Sequence, residues 1–405
     1  MLSVRHSDGP TLERTLTSEG GFVWWYVDLV DDRGDGAVLI WSYGLPFLPG
    51  ARRRPAPASR PGINLVTYEG GRATGYVLQQ LPPEHVRWRP GSTSWRVGDS
   101  TLDAEVTADR VTLTGALDIA LPSPGGRWRG SLDVTGPRCR MARPSSSQER
   151  ARPASVEERA DDPEGSHGWS PFTCFAEGRL ELEDPTGRRF SVAGRAYFDT
   201  NASAKPLDQL GIEDWRWGRY AFADHELIYY LVWPEGRDQP AVHLLLRVDG
   251  DGTVAELGVR ECRLERPRRN RYGLTYPRHL RIEAHDGTVI TIAHRHVVDE
   301  GPFYLRFISE GRYEGSGECA LGVAERVVPA RVDRPWQRPF VAMRRHLADG
   351  DNSMWLPLFS GPRDQRWRRL WRAWTGRGAS IGAPSIGAAS RGAASTETAM
   401  LEEGR

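Results

Sequence analysis

Short runs of β-branched and aromatic residues, each halted by a Gly, Asp or Pro turn, recur along this 405-residue chain, and almost no stretch carries helical periodicity. Residues 20–43 (GGFVWWYVDLVDDRGDGAVLIWSY) read as a hairpin around an Asp/Gly turn. Further strand-turn-strand units follow at 63–80, 101–120 and 179–199, and after Trp217 the pattern restarts with strands at 225–233, 241–248, 253–264, 278–284, 288–298 and 303–312. Such spacing predicts an all-β barrel or sandwich, with the architecture used twice. Residues 137–165, rich in Pro, Arg, Ser and Glu, read as a surface loop.

Composition removes several function classes. Basic and acidic residues nearly cancel, 54 against 53, so nothing argues for nucleic acid as a partner. Cys139, Cys174, Cys262 and Cys319 are scattered without a C-x-x-C pair, and read as free thiols of a reducing compartment. The N-terminus is polar and lacks an apolar signal core, and no window approaches the ~20 apolar residues of a membrane-spanning helix.

Phosphate loops, nucleophile elbows and H-E-x-x-H are absent. His294-x-His296 puts two imidazoles on one face of a strand, but without a clear third ligand it reads as ordinary strand polarity, so no metal is expected. The turn at Asp31–Gly36 lacks a calcium loop's ligands, with Arg33 at a ligand position. The stretch from Gly194 to Tyr220 stands out. It opens as a strand ending in Tyr197, Phe198 and Asp199, breaks at Asn201, and returns as a strand with Trp215 and Trp217 on one face. A carboxyl beside indoles is poorly solvated, which raises its pKa toward a value useful for proton donation. Near the C-terminus, residues 340–347 read as a short helix. Residues 362–374 place Trp367, Leu370, Trp371 and Trp374 on one face of a second, with arginines elsewhere, as suits an anionic membrane surface.

Four blocks, in order, resemble the acyclic carotenoid 1,2-hydratase (hydroxyneurosporene synthase) family: GGFVWWYVDL from Gly20, His167-Gly168-Trp169, Tyr197-Phe198-Asp199-Thr200-Asn201 with Trp215-Arg216-Trp217 beyond it, and GPFYLR from Gly301. The resemblance implies two lipocalin-like antiparallel β-barrels in tandem, with the site in the cleft between them. The expected division is residues 1–205 and 210–346 for the barrels, 347–375 for the basic Trp-rich segment with its short amphipathic helix, and 376–405 as a disordered tail. It also implies cofactor-free addition of water to the terminal C1–C2 double bond of a membrane-dissolved acyclic carotenoid. A cytoplasmic protein held peripherally at the inner membrane through residues 362–374 fits that substrate.

The family's catalytic His, Trp, Tyr and Asp fall on His167, Trp169, Tyr197 and Asp199. In the expected mechanism Asp199 is the acid, Tyr197 orients it, His167 is the base for water, and indoles including Trp169 face the cation. Trp24, Tyr26, Asn201, Trp215 and Trp217 are expected to bind substrate. One departure concerns the site. Where the family commonly has Trp-Gly-Asp-Glu after the Asn, this chain has Ala202-Ser203-Ala204-Lys205. The exact polyene and the oligomeric state stay open. So do two other readings, a polyene cyclase in the same cleft and a lipophile carrier without catalysis.

Overall fold

The computed structural model describes residues 2–4, 12–45, 56–89, 91–122, 125–141, 167–236, 240–364 and 366–379. Among these residues the strands form two sheets, of 14 and 10 strands. The first is centred on the hairpin Phe22–Val30/Gly36–Tyr43. Pro61–Glu69 and Arg72–Gln80 extend it on one side, and Arg189–Ser203, His167–Glu183, Arg127–Pro137 and Arg110–Ala120 on the other. In the second sheet Ile212–Ala221 lies between His225–Pro234 and Cys319–Val327.

Each sheet curls around its own apolar core. Val77 and Val97, from strands near opposite ends of the first sheet, meet in one cluster with Trp25, Trp41, Leu132 and Phe198. Leu245 and Ile282 do the same in the second sheet, with Tyr229, Leu305 and Phe307. The fold is all-β, a pair of lipocalin-like units.

A third core fills the space between the sheets, and period-two alternation puts it there. Along Phe22–Val30, Val23, Trp25, Val27 and Leu29 enter the first core while Phe22, Trp24 and Tyr26 enter the inter-sheet core. Along His225–Pro234, Leu227, Tyr229 and Leu231 face inward while Ile228, Tyr230 and Val232 face the other sheet. The strands on either side of the cleft are therefore buried on both faces, and a one-residue slip would exchange two complete sets of side chains.

The hairpin turn shows how local chemistry sets this register. Asp31 accepts hydrogen bonds from the backbone N–H groups of Arg33 and Asp35, each at 2.9 Å, and Gly34 takes a φ of +83°. The Arg33 guanidinium lies on the Asp31 carboxylate at 2.9 Å, so the turn is closed by its own ion pair.

Several expectations need correction. The Arg189–Ser203 strand does not end at Asp199 or break at Asn201 but runs on, paired with Phe22–Val30 as far as Ser203. A β-bulge between His294 and His296 separates the two imidazoles. His294 is buried, stacked 4.1 Å from the Phe307 ring, while His296 is exposed. The expected 340–347 helix is a helix at Arg338–Ala342 followed by a strand at Arg345–Leu347, which pairs with Arg72–Gln80. The start of the 137–165 loop is strand, since Arg140–Met141 pairs with Thr253–Glu256; residues 142–166 lie outside the described residues.

The C-terminal helix spans Arg366–Ala379, so residues 376–379 of the expected tail are helical, and 380–405 lie outside the described residues. Its expected single face is divided. Leu370 is buried at 3% exposure, whereas Trp367 and Trp371 are 65% and 66% exposed. Among the described residues no helix is long and apolar enough to cross a membrane. Cys139 and Cys174, free and far apart in sequence, have their sulfurs 3.1 Å apart.

Candidate active site

The inter-sheet core opens into a cleft whose wall includes Trp24, Tyr26, Asp199, Asn201, Trp215 and Trp217. Six of the nine sequence-derived site residues thus share one surface. Alternation explains the set. Tyr197, Asp199 and Asn201 are every second residue of one strand, Trp24 and Tyr26 lie on the strand paired with it, and Trp215 and Trp217 face them from the second sheet. The rings form a continuous aromatic wall. Trp24 and Trp215 stack at 6.2 Å, Trp215 and Tyr230 at 5.4 Å, and Trp217 meets Tyr26 edge-on at 5.6 Å.

Asp199 is the polar focus of the first sheet's wall, and it is 4% exposed. Its Oδ2 accepts from the Tyr197 hydroxyl at 2.7 Å and from the Trp169 indole N–H at 2.8 Å. Its Oδ1 accepts from the Asn201 amide at 3.0 Å. All three bonds favour the carboxylate, and Glu325 opposes them, but desolvation is the largest influence and pushes the Asp199 pKa up to about 8. Asp199 is therefore a carboxylic acid at neutral pH. Because its three neighbours all donate to it, none of those bonds occupies the acid's own hydrogen.

His167, Trp169 and Tyr197 stand behind this wall and do not line it. The indole N–H of Trp169 is shared between the Tyr197 oxygen at 2.9 Å and Asp199, so it fixes both groups and gives no ring face to the cleft. His167 reaches the carboxyl only through Asn201, its Nε2 lying 2.9 Å from the Asn201 Oδ1. With the Asn201 amide donating to Asp199, that oxygen faces His167, which places the imidazole hydrogen on Nε2. Burial pushes the His167 pKa down to about 4, so the ring is neutral. Neither His167, expected as the base for water, nor Trp169, expected to face the cation, is among the residues that line the cleft.

The second sheet supplies residues that the sequence reading passed over. Glu325, Arg306, Tyr230 and Tyr304 line the same cleft, as do Asp299 and Arg344, which form an ion pair at 3.3 Å. Arg306 lay within the quoted GPFYLR block, where an arginine after three apolar or aromatic residues was the available signal. Glu325 sits on the Cys319–Val327 strand, an alternating run that the sequence reading did not mark as a strand. Among the described residues, no group of three or more His, Cys, Asp and Glu side chains is placed to hold a metal ion.

Comparison with known proteins fits this geometry. A protein named hydroxyneurosporene dehydrogenase, from Chlorobaculum tepidum, is 27% identical over 369 residues, covering 84% of this chain and 91% of its own. A protein named acyclic carotenoid 1,2-hydratase, from Thiocapsa roseopersicina, is 27% identical over 339 residues, covering 81% of this chain and 73% of its own. The crystal structure of a putative AttH from Nitrosomonas europaea superposes with a TM-score of 0.52 at 13% identity, over 77% of this chain and 93% of that one, a likeness of fold alone. The family model for the carotenoid hydratase CrtC matches residues 40–348, a span that takes in the second sheet and most of the first but not its Phe22–Val30 strand with Trp24 and Tyr26, and the chain belongs to that family.

Proposed function

We propose that this enzyme adds water across the terminal C1–C2 double bond of an acyclic carotenoid of the lycopene or neurosporene type, giving a tertiary alcohol. The observation that carries the reading is the Asp199 carboxyl: buried in an aromatic wall, neutral at physiological pH, and with its hydrogen not engaged by the groups that hold it. Protonating an unactivated alkene requires such an acid. The proton goes to C2, the π bond breaks, and the positive charge settles on C1, which carries two methyl groups.

The faces of Trp24, Trp215 and Trp217 line the space where that cation forms. Each ring stabilises a desolvated cation by roughly 0.5–2 kcal/mol without offering a nucleophile that competes with water. Tyr197 and Trp169 orient the acid. His167 acts as a positioning residue, holding the Asn201 amide so that it donates to Asp199.

The test is turnover of lycopene or neurosporene in detergent and oxygen-18 water, read by mass spectrometry. A labelled tertiary alcohol, lost in Asp199→Asn, is expected. An unlabelled isomer of the substrate would replace this reading with a cyclase, and tight binding without turnover would replace it with a carrier.

We also propose that the C-terminal helix holds the cleft against an anionic bilayer, where a polyene is dissolved. Trp367 and Trp371 are exposed, and Arg366, Arg368 and Arg372 are exposed beside them. Leu370 and the edge contact of Trp374 with Trp355, at 5.3 Å, dock the adjoining edge of that face on the protein. Replacing Trp367 and Trp371 together by Ala should abolish co-sedimentation with phosphatidylglycerol vesicles while leaving turnover in detergent intact. Unchanged co-sedimentation would rule this surface out.

A further inference from the structure

Hydration needs a second group, one that takes a proton from water as it attacks, and the placement of His167 leaves that task unassigned. The cleft carries another carboxyl. Glu325 lies on the second sheet, beside Trp217 and Arg306 in the strand register. Its Oε1 accepts from the Arg306 Nε at 2.9 Å and from the Tyr26 hydroxyl at 3.0 Å. Arg306 is itself 1% exposed, and its Nη1 has no hydrogen-bond partner among the described residues. Tyr26 is the register partner of Asp199 on the neighbouring strand, so its hydroxyl bridges from the wall that holds the acid to the wall that holds Glu325. The two carboxyls thus face one cleft from different sheets, in contrasting environments. Asp199 has only neutral donors around it, and Glu325 is held by a guanidinium.

We propose that Glu325 is the second catalytic residue, binding the attacking water and accepting its proton. The inference rests on the assignment of Asp199 as the acid. Asp199 gives its proton to C2, forming a C–H bond and leaving a carboxylate and a cation at C1. A water oxygen bonds to C1 while one of its protons passes to Glu325. The cycle closes when that proton returns from Glu325 to Asp199 through water in the cleft. Arg306 and Tyr26 hold one Glu325 oxygen, Oε1, and so orient the carboxyl toward the side facing the acid. Splitting the roles between two sheets means that water arrives from the wall opposite the proton donor.

The experiment separates protonation from water capture. In deuterium oxide, reversible protonation by Asp199 writes deuterium into recovered hydrocarbon, whereas completed turnover gives alcohol. Glu325→Gln is expected to keep deuterium exchange within about threefold of the native enzyme while alcohol formation falls by about 100-fold or more, the usual scale for loss of a general base. Formate added to Glu325→Ala is expected to restore part of the alcohol. If Glu325 only supports the fold, exchange and alcohol fall together and formate restores neither, which overturns the proposal; undiminished alcohol in Glu325→Gln overturns it as well. Asp199→Asn tests the underlying reading separately, since loss of exchange there depends on the acid and not on Glu325.

Discussion

Asp199 determines how the enzyme should respond to pH. With Asp199 as the proposed acid, its protonated form is the active one, so kcat/KM should be level through neutrality and fall about tenfold per unit above about pH 8, the value to which burial raises the group. The sign for stability follows from the same shift. The folded-state value lies above the ordinary 3.8, so the fold binds a proton more tightly than the unfolded chain does. That contribution is fully present below about pH 3.8 and is lost as pH rises through about 8. Asp199→Asn cannot ionise, so its melting temperature relative to the native protein should climb across that window. A constant difference in thermal denaturation would show that Asp199 is charged throughout. The residue types needed here were legible in the sequence, because an acid among aromatics at alternating positions already implies a desolvated carboxyl. What the sequence left hidden was depth. Whether His167 and Trp169 touch the cleft or stand behind it depends on which strand lies in front, and no local spacing carries that.

Within single strands, adjacent residues do unrelated work, and substitution should separate them. Phe198 points into the first core, stacked on Phe172 at 4.7 Å, while Tyr197 points the other way and donates to Asp199. Phe198→Ala should cost about 3–5 kcal/mol in urea denaturation and leave the KM of the folded fraction unchanged. Tyr197→Phe should move denaturation by about 1 kcal/mol while cutting kcat about tenfold or more, through a disordered acid. Equal effects of the two on stability and turnover would mean that the faces are not independent. Alternation made the hairpins readable from sequence, and the turn at Asp31–Gly34 placed one of them within a residue or two. The bulge at His294/His296 was not readable, because an extra residue in one strand is decided by the partner strand's register. The short strand Arg345–Leu347 escaped for a related reason: three residues gain an extended conformation only from the edge of Arg72–Gln80 that they pair with.

At the scale of the molecule, the two sheets are joined by a fully buried ion cluster. Arg219, from the second sheet, lies against Asp28 of the first and against Glu226 at 3.0 Å, all at 0% side-chain exposure. Glu226 in turn accepts from the backbone N–H of Phe175, on the first sheet. Removing the cation strands two buried carboxylates, so Arg219→Ala should lower unfolding free energy by about 3–5 kcal/mol, measured in urea, and a shift under 1 kcal/mol would show that water reaches the cluster. For the proposed hydration, the same cluster has a consequence for which bond of a long polyene reacts. Asp28 and Arg219 each lie two residues beyond a cleft residue, Tyr26 and Trp217, on the same strand faces, roughly 7 Å further along. They tie the two sheets together at that depth. On the proposed reading this cross-link ends the slot, and a rod pushed into it stops at a set distance from its tip. The terminal double bond is isolated from the conjugated ones, and on the proposed reading depth adds a second selector, bringing only the outermost bond level with Asp199. A carotenoid capped by a cyclohexenyl ring at both ends, which carries no C1–C2 double bond, should be too blunt to enter and should therefore leave turnover of the linear one uninhibited. On this reading the enzyme works as a gauge that measures from the end of its substrate.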